Sequence, residues 1–439
     1  MRALFLAGVL AALLCSSTAY PRFRFQGDIS GSWQYSDNIN SSSTNPFPDN
    51  IWTVSPSVSL TKANAQQSIV ANFSFSTRNF LKMSIQNRDT YTGGLSGHYV
   101  FSRRTSVDFY DTLSYSPQVT TQTANFEQVL TDAGIITELV TRNIPSSLVN
   151  NEVGASVTHD LTRRTTLTFG GTTKLSRYSS KVFDNTDDWS VRGGVRYKLS
   201  SRDDLNFAVT HGFRSFGNKI TDSNTNTAAL TWYRDLTRVF RSKVNVNVID
   251  DQTKAFASNT ITGTRLAQIQ VGGVYTIDPN TQLTAMVGEA FAKGIGNSNQ
   301  TNGGNINTAS IYDFLLTRRY VRSSIMAELR RTFNTGYTTG FSTTFGSIAY
   351  SYQLTPDLVV DGTLSRSSSK IPGSAGTGST TTTTTALYLR LNYKIDRRTF
   401  FSVVYSGASQ TSKGGGGGGS IKQNSIVFSI DIMDLTRRP

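Results

Sequence analysis

Cysteine and charged residues are scarce in this chain of 439 residues. Its single cysteine, Cys15, lies within the first twenty residues, so a chain cleaved after that segment has no disulfide, thiolate metal site or cysteine nucleophile. Charged residues make up 16%, against about 25% in a typical soluble domain, and Ser, Thr, Asn, Gln and Gly take their place. The chain also has 25 Phe, 18 Tyr and 4 Trp, which excludes a highly charged disordered protein.

Long apolar runs are equally scarce, and the clear one is at the N-terminus. Residues 4–14 form an apolar run behind Arg2 and are followed by small residues, which is the pattern of a secretory signal peptide. The run is too short for a membrane helix, which needs about 20 residues. We expect cleavage after Ala19, so that residues 1–19 are the signal peptide and residues 20–439 form one domain. The alternatives are an N-terminal anchor, a buried helix, or a lipoprotein modified at Cys15, although Leu14 stands where a lipoprotein has a small residue.

The rest of the chain alternates between apolar and polar residues with a period of two. In ALYLRLNYKI (residues 386–395) every second residue from Leu387 to Ile395 is apolar, and Arg390 and Lys394 lie among the residues between them. Residues 191–199 and 240–248 alternate in the same way. Because successive side chains of a strand point to opposite faces, the pattern predicts strands with one apolar and one polar face.

Two kinds of connection separate these strands. Short connections are often basic, such as LTRRTT at 161–166 and IDRRTF at 395–400, and long connections are rich in Ser, Asn, Thr and Gly, such as 367–384 and 411–423. Their alternation predicts an all-β, up-and-down antiparallel transmembrane β-barrel of the bacterial outer membrane, with short periplasmic turns and long extracellular loops. We expect 18–20 strands, with every second strand ending near Thr61, Phe101, Leu161, Leu199, Arg234, Ile277, Leu316, Leu354, Ile395 and Met433.

A closed barrel satisfies the backbone in the membrane because it leaves no unpaired sheet edge. The alternative is a soluble β-sandwich, which would need neither a signal peptide nor so strict an alternation of short and long connections. Residues 117–150 form the longest expected insertion. Within it, residues 124–139 have partly helical apolar spacing, which favours a short helix capping an extracellular loop over a helix that folds into the lumen and narrows the pore.

The charge balance gives the main lead towards function. The formal net charge is +14, and loss of residues 1–19 removes only Arg2. Basic residues fall on the polar face of the strands, which we expect to point inward because a charge on the lipid face at the bilayer midplane costs about 2–4 kcal/mol. A basic lumen favours anions. Alternatively, the arginines pair with carboxylates such as Glu328 or Asp431, or are solvated at the periplasmic rim. The predicted pore-lining residues are Lys174, Arg192, Arg196, Lys198, Arg241, Lys243, Arg322, Arg330, Arg390 and Lys394.

No motif in the sequence indicates an enzyme or a bound cofactor. The three histidines, His98, His159 and His211, are not spaced as metal ligands, and no haem-attachment or phosphate-binding motif is present. We therefore expect no catalytic residues, no metal site and no cofactor. Nucleic-acid binding would fit the basic pI but not an exported barrel.

Three segments of the chain resemble the β-barrel porin 2 family of outer-membrane proteins: YSDNI at 35–39, IWTVSPSVSL at 51–60 and YVFSRRTSVDFYDTLSY at 99–115. Repeated units such as LTRRTTLTFGG and LTPDLVVDGTLS extend the resemblance over most of the chain. Some members of this family accompany exopolysaccharide or protein-sorting systems, so the resemblance implies an anionic glycan as one solute. The chain departs from outer-membrane barrels in ending MDLTRRP rather than in an aromatic residue; either Phe428 and the last strand carry the assembly signal, or the natural end is missing.

The expected function is an outer-membrane channel for passive passage of small solutes, or of an anionic glycan, through a basic lumen. The alternatives are a structural sheath around a periplasmic partner and a surface receptor or adhesin that acts through its extracellular loops. The expected partners are outer-membrane lipid and lipopolysaccharide, the barrel assembly machinery, and an anionic solute or polysaccharide, with no nucleic acid.

Overall fold

The computed structural model describes residues 23–39, 45–84, 87–121, 141–179, 184–217, 221–255, 260–296, 306–334, 341–371, 379–413 and 419–433. The predicted signal peptide and the predicted helix at 124–139 lie outside these residues. In the part of the chain that is described, no helix is long and apolar enough to cross a membrane.

The described residues form twenty β-strands in one sheet. In chain order they are β1 Arg24–Ser36, β2 Asp49–Ala63, β3 Gln67–Phe80, β4 Arg88–Ser102, β5 Thr105–Thr121, β6 Thr141–Asp160, β7 Thr165–Tyr178, β8 Thr186–Lys198, β9 Asp203–Phe216, β10 Thr221–Asp235, β11 Phe240–Ala255, β12 Thr260–Asp278, β13 Thr281–Gly296, β14 Ile306–Arg319, β15 Ser323–Asn334, β16 Phe341–Thr355, β17 Leu358–Ile371, β18 Thr380–Lys394, β19 Thr399–Lys413 and β20 Gly419–Ile432.

Each strand pairs antiparallel with its neighbours in sequence, and β1 also pairs with β20, so the sheet closes on itself. The closing pair runs from Ile29 opposite Ile432 to Ser36 opposite Ser425. Closure leaves neither β1 nor β20 as a free edge, which is what a β-structure in a membrane requires. The predicted fold class, an all-β up-and-down barrel, is confirmed at the upper end of the predicted strand count.

The predicted ends of the even-numbered strands agree closely with the structure. Nine of these strands are followed by short connections at one end of the barrel: 64–66, 103–104, 161–164, 199–202, 236–239, 279–280, 320–322, 356–357 and 395–398. This end is called the short-turn rim below, and the opposite end is called the long-connection end. The expected strand ends near Thr61 and Leu316 are both followed by short turns, at 64–66 and 320–322.

The predicted insertion at 117–150 differs from the structure. β5 continues to Thr121 and β6 begins at Thr141, and their pairing extends well into the range expected to be a loop. The alternation that marks other strands is absent here, because strands that extend beyond an apolar belt have no apolar face to reveal them.

An apolar belt surrounds the outside of the barrel and lies nearer to the short-turn rim. On β18 the outward residues closest to that rim are Tyr393, Leu391, Leu389 and Leu387, all exposed, and the outward residues beyond them are threonines. On β20 the outward residues Ile430, Phe428 and Ile426 are likewise followed by polar ones. Such side chains are stable on an outer surface only in contact with lipid. The barrel therefore spans a membrane.

Side chains complete the closing seam where the β1–β20 backbone pairing stops. Asp37 accepts two hydrogen bonds from Asn424, one from its backbone N–H and one from Nδ2, each at 2.7 Å. Asn38 Nδ2 donates to the carbonyl of Lys422 at 2.8 Å, and the rings of Trp33 and Phe428 lie 5.6 Å apart across the same seam.

Replacing Asp37 by alanine is expected to lower the free energy of unfolding by about 1–2 kcal/mol, because both bonds to Asn424 are lost. Urea-dependent unfolding in lipid vesicles measures the change. Asp89→Ala is the matched control, since Asp89 is exposed on β4 and accepts no side-chain hydrogen bond from the described residues. Equal midpoints for the two variants would show that the Asp37 contacts do not stabilise the closed barrel.

Candidate functional site: the barrel lumen

The exposed apolar residues identify the outer face of each strand, and the residues between them face the lumen. On β8, Trp189, Val191, Val195 and Tyr197 are exposed on the outside, which turns Arg192 inward. The same reasoning follows from strand to strand, because cross-strand partners share a face. The register places these predicted residues on the luminal face: Lys174, Arg192, Arg196, Lys198, Arg241, Lys243, Arg330, Arg390 and Lys394. Arg322 lies in a short turn instead.

The luminal face is not uniformly basic, because carboxylates share it with the predicted basic residues. Asp204 forms ion pairs with Arg196 at 3.2 Å and with Arg241 at 2.8 Å, and Arg330 lies 3.6 Å from Glu328. The alternative that luminal arginines pair with carboxylates therefore holds for these three arginines. The carboxylates that the register or the cavity lining places on the luminal face are Asp28, Asp49, Asp108, Glu152, Asp160, Asp188, Asp204, Asp235, Asp251, Asp278, Asp313, Glu328, Asp361 and Asp431.

A row of alternating charges crosses one wall of the lumen. Glu152, Lys174, Asp188 and Arg214 lie directly opposite one another on β6, β7, β8 and β9. Arg214 binds both carboxylate oxygens of Asp188, at 2.7 and 3.1 Å, and Tyr110 on β5 donates its hydroxyl to Glu152 at 2.8 Å. Opposite charges on neighbouring strands stabilise the sheet, and here they place the predicted basic residue Lys174 between two carboxylates.

A cavity of about 1560 Å³ lies along the wall on the other side of the lumen. Its lining reaches from Ser36 and Ile39 at the long-connection end to Asp278 and Thr281 at the short-turn rim. Most of the lining between these ends is hydroxyl-bearing, contributed by Ser30, Ser32, Thr53, Ser55, Ser76, Thr90, Thr363, Ser402, Ser406, Ser425 and Ser429. Of the predicted residues, Arg390 lies in this lining together with Asp361 and Asp431.

Besides Arg318 and Arg319 near the short-turn rim, the cavity lining contains two arginines that were not among the predicted pore residues, Arg78 and Arg88. They lie directly opposite each other on β3 and β4, and both face the cavity. Arg78 Nη2 donates to Gln34 Oε1 at 3.1 Å, and Arg88 is half-buried. Like charges in opposite positions repel, so this pair favours an anion between or above them. The strand pattern around Arg78 and Arg88 was visible in the sequence, but their mutual position depends on the β3–β4 register.

A third part of the inner wall is apolar and closed. Leu266, Ala290, Ala292 and Ile311 are buried on the luminal side of β12, β13 and β14, and Phe333 of β15 packs against them. Pairing between β14 and β15 stops at Tyr312 opposite Arg331, and Gln268 Nε2 donates to the carbonyl of Phe333 at 2.8 Å. The end of β15 thus leaves β14 and folds over the inner wall, which narrows the lumen on this side.

The histidines occupy three different settings. His98 faces the lumen with Nδ1 2.6 Å from Asp108, His159 contacts Thr105 near the short-turn rim, and His211 lies on the outer face beside Trp189. Among the described residues, no three His, Cys, Asp or Glu side chains are grouped as a metal site.

The closed barrel, its apolar belt and its polar lumen define the class: a membrane-spanning β-barrel of the outer-membrane type. No protein-family model matches the sequence. No curated protein matches it either.

Solved structures with the same fold are outer-membrane proteins. The chain superposes on the siderophore receptor PirA from Pseudomonas aeruginosa with a TM-score of 0.54 and 10% identity, covering 95% of this chain and 81% of that one. For the FrpB iron transporter from Neisseria meningitidis the values are 0.56 and 8%, covering 93% and 82%. For the copper transporter OprC they are 0.54 and 8%, covering 95% and 81%. At these identities the likeness is one of fold, and together with the belt it supports the predicted location in the bacterial outer membrane.

Proposed function

We propose that the protein is a passive, non-enzymatic outer-membrane channel for small polar solutes. The observation that carries this proposal is the cavity lined by hydroxyl groups, whose lining residues extend from one end of the barrel to the other. Hydroxyl groups can replace part of a solute's hydration without holding it tightly, and weak contacts of this kind allow a solute to enter and leave.

An anion preference is the second part of the proposal, and of the predicted residues it rests on Arg390 alone. Where arginines pair with Asp204 or Glu328 they add little net field, whereas Arg78, Arg88 and Arg390 face the cavity itself. Asp361 and Asp431 offset part of that charge, so we expect a moderate preference for anions. The resemblance to the β-barrel porin 2 family adds an anionic glycan as a candidate solute, and that narrower family assignment stays a prediction.

Single-channel recording of the refolded chain in a planar bilayer tests the proposal, with a salt gradient to read ion selectivity. Stepwise openings are expected, with anions carrying more of the current. A folded barrel that never conducts would contradict the channel and leave the sheath or the loop-based receptor. A sheath would also require a partner that purifies with the barrel.

Replacing Arg88 by glutamine is expected to lower the anion-to-cation permeability ratio roughly twofold, because one of the two opposed charges facing the cavity is removed. The reversal potential in a salt gradient measures the ratio. Arg177→Gln is the matched control, since Arg177 pairs with Asp187 on the outer face. An unchanged ratio in Arg88→Gln would place the selectivity elsewhere, while the conductance itself would still report the channel.

A receptor that takes up a specific ligand is the second candidate function. The named structural neighbours favour it, since their titles describe siderophore, iron and copper transport. Competition separates the two functions: a receptor binds one ligand saturably and conducts poorly, whereas a channel conducts simple salts without any ligand.

A further inference from the structure

The short turns repeat one local structure that presents arginine side chains at the short-turn rim. In five of the turns that contain arginine, a side-chain oxygen accepts the backbone N–H two residues later: Ser102 from Arg104 at 3.2 Å, Thr162 from Arg164 at 3.1 Å, Ser200 from Arg202 at 3.0 Å, Thr237 from Val239 at 3.2 Å and Asp396 from Arg398 at 2.7 Å. These hydrogen bonds fix the backbone of the turn, so the arginine side chains are not needed to hold it in place.

These arginines are exposed and form no ion pair among the described residues. Three carboxylates at strand ends beside these turns are engaged by other groups: Asp203 by Arg234 at 3.8 Å, Asp235 by Arg241 at 3.3 Å, and Asp160 by the hydroxyl of Thr166 at 2.7 Å. The rim arginines are Arg103, Arg104, Arg163, Arg164, Arg202, Arg238, Arg322, Arg397 and Arg398.

The β18–β19 turn differs from the other turns of this kind because the side chain that accepts its backbone N–H, Asp396, is charged. Backbone N–H groups of Arg398 and Thr399 donate to Asp396 and hold the pKa of its carboxyl below the ordinary value. Asp396 is therefore ionised at neutral pH, so this turn is less positive than the two other turns that carry a pair of arginines, at 103–104 and 163–164. The luminal charges largely balance one another, whereas the nine rim arginines give this rim a local surplus of positive charge.

Each arginine turn also begins with an exposed apolar residue on the outer face. Phe101 is 66% exposed and Ile395 54%, and Leu161, Leu199 and Leu236 occupy the equivalent positions in their turns. A soluble binding partner would leave these apolar side chains exposed to water. A lipid leaflet covers them with acyl chains and places phosphate groups at the depth of the guanidinium groups one to three residues further on.

We propose that the short-turn rim binds the phosphate groups of anionic phospholipids in the membrane leaflet that surrounds it. The apolar first residue of each turn lies in the acyl region, and the arginines that follow contact the headgroups. Arginine suits this task because its planar guanidinium binds phosphate through two parallel hydrogen bonds. The contact is independent of conduction, so it also holds for a barrel that is closed or acts as a receptor.

The native tryptophans allow the lipid at this rim to be measured. Trp232 lies on the outer face of β10, three residues before the strand ends at Asp235, and the Asp235 N–H donates to the carbonyl of Arg202 at 2.8 Å. Trp33, Trp52 and Trp189 lie towards the long-connection end. Changing these three to phenylalanine leaves Trp232 as the reporter of lipid beside the Arg202 and Arg238 turns.

The experiment places this variant in vesicles that contain brominated phosphatidylglycerol or brominated phosphatidylcholine in mixtures, and measures quenching of Trp232. We expect phosphatidylglycerol to be enriched about fivefold beside Trp232, and the enrichment to fall as salt is raised. Adding Arg202→Gln and Arg238→Gln is expected to remove most of it. Lys370→Gln with Lys413→Gln, which changes two exposed charges near the long-connection end, is the control and is expected to leave it unchanged.

Equal quenching by the two lipids would overturn the proposal. The rim arginines would then be assigned to binding a soluble acidic partner. Enrichment that survives Arg202→Gln and Arg238→Gln would overturn it too, since the lipid would then be held by other groups. Heat-modifiable electrophoretic mobility confirms that each variant is folded before quenching is read.

Discussion

A cysteine placed at position 32 and labelled with a charged thiol reagent is expected to remove most of the single-channel conductance. Ser32 lies on β1 with its side chain in the cavity lining, opposite Ser429 of β20 and Thr53 of β2. The reagent adds bulk and charge to the hydroxyl-lined path that the proposed function requires. Because Cys15 is the chain's sole cysteine, a chain without residues 1–19 has a unique label site.

The neighbouring position provides the matched control. Gly31 points away from the lumen, and a Cβ built there meets no atom within 4 Å, so Gly31→Cys should fold normally. A water-soluble reagent does not reach a thiol in the lipid layer, and the conductance of Gly31→Cys is expected to stay constant. Block at both positions, or at neither, would contradict the assignment of the cavity as the conducting path.

Replacing Leu266 by alanine is expected to lower the free energy of unfolding by about 2–5 kcal/mol, the usual cost of a cavity at a fully buried leucine. Leu266 is 1% exposed and packs with Ile311 and Phe333 on the inner wall. A solvated luminal side chain would cost far less, so the result tests whether the end of β15 folds over this wall. Urea-dependent unfolding in vesicles, followed by tryptophan fluorescence, gives the value.

Leu81→Ala is the control for this change because it removes the same atoms from a residue that is 62% exposed in the β3–β4 connection. Its effect is expected within about 0.5 kcal/mol. If Leu266→Ala were as mild as Leu81→Ala, the inner apolar cluster would not be packed as described.

The strands and their outer faces could be predicted because the sequence pattern that identifies them lies within a few neighbouring residues. Alternation of period two identifies a strand and its apolar face within a few residues, as in residues 386–395. Turn residues mark where it ends: the predicted end at Leu161 lies beside the observed end of β6 at Asp160, and that at Met433 beside Ile432. The Ser/Thr–x–Arg turns add a local hydrogen bond that fixes these ends.

The lumen was predicted less well because its chemistry depends on which residues meet across strands. The period-two alternation places Arg196 and Arg241 on the polar face. It does not show that both contact Asp204, which lies between them on β9. It also missed Arg78 and Arg88, whose opposition follows from the β3–β4 register. Pairing with carboxylates such as Glu328 or Asp431 was an open alternative, but the alternation alone does not show which arginines it applies to.

The sequence by itself determined the period, the turn chemistry and a range of 18–20 strands, because each follows from contacts between residues close in the chain. Only the tertiary structure decided the closure of β1 on β20 through Asp37 and Asn424, and the folding of Phe333 over Ile311. These contacts join residues far apart in sequence, and no local pattern records the geometry that brings them together. Closure in turn gives the sheet an inside and an outside, so that an alternation of serines and leucines becomes a polar lumen inside an apolar wall.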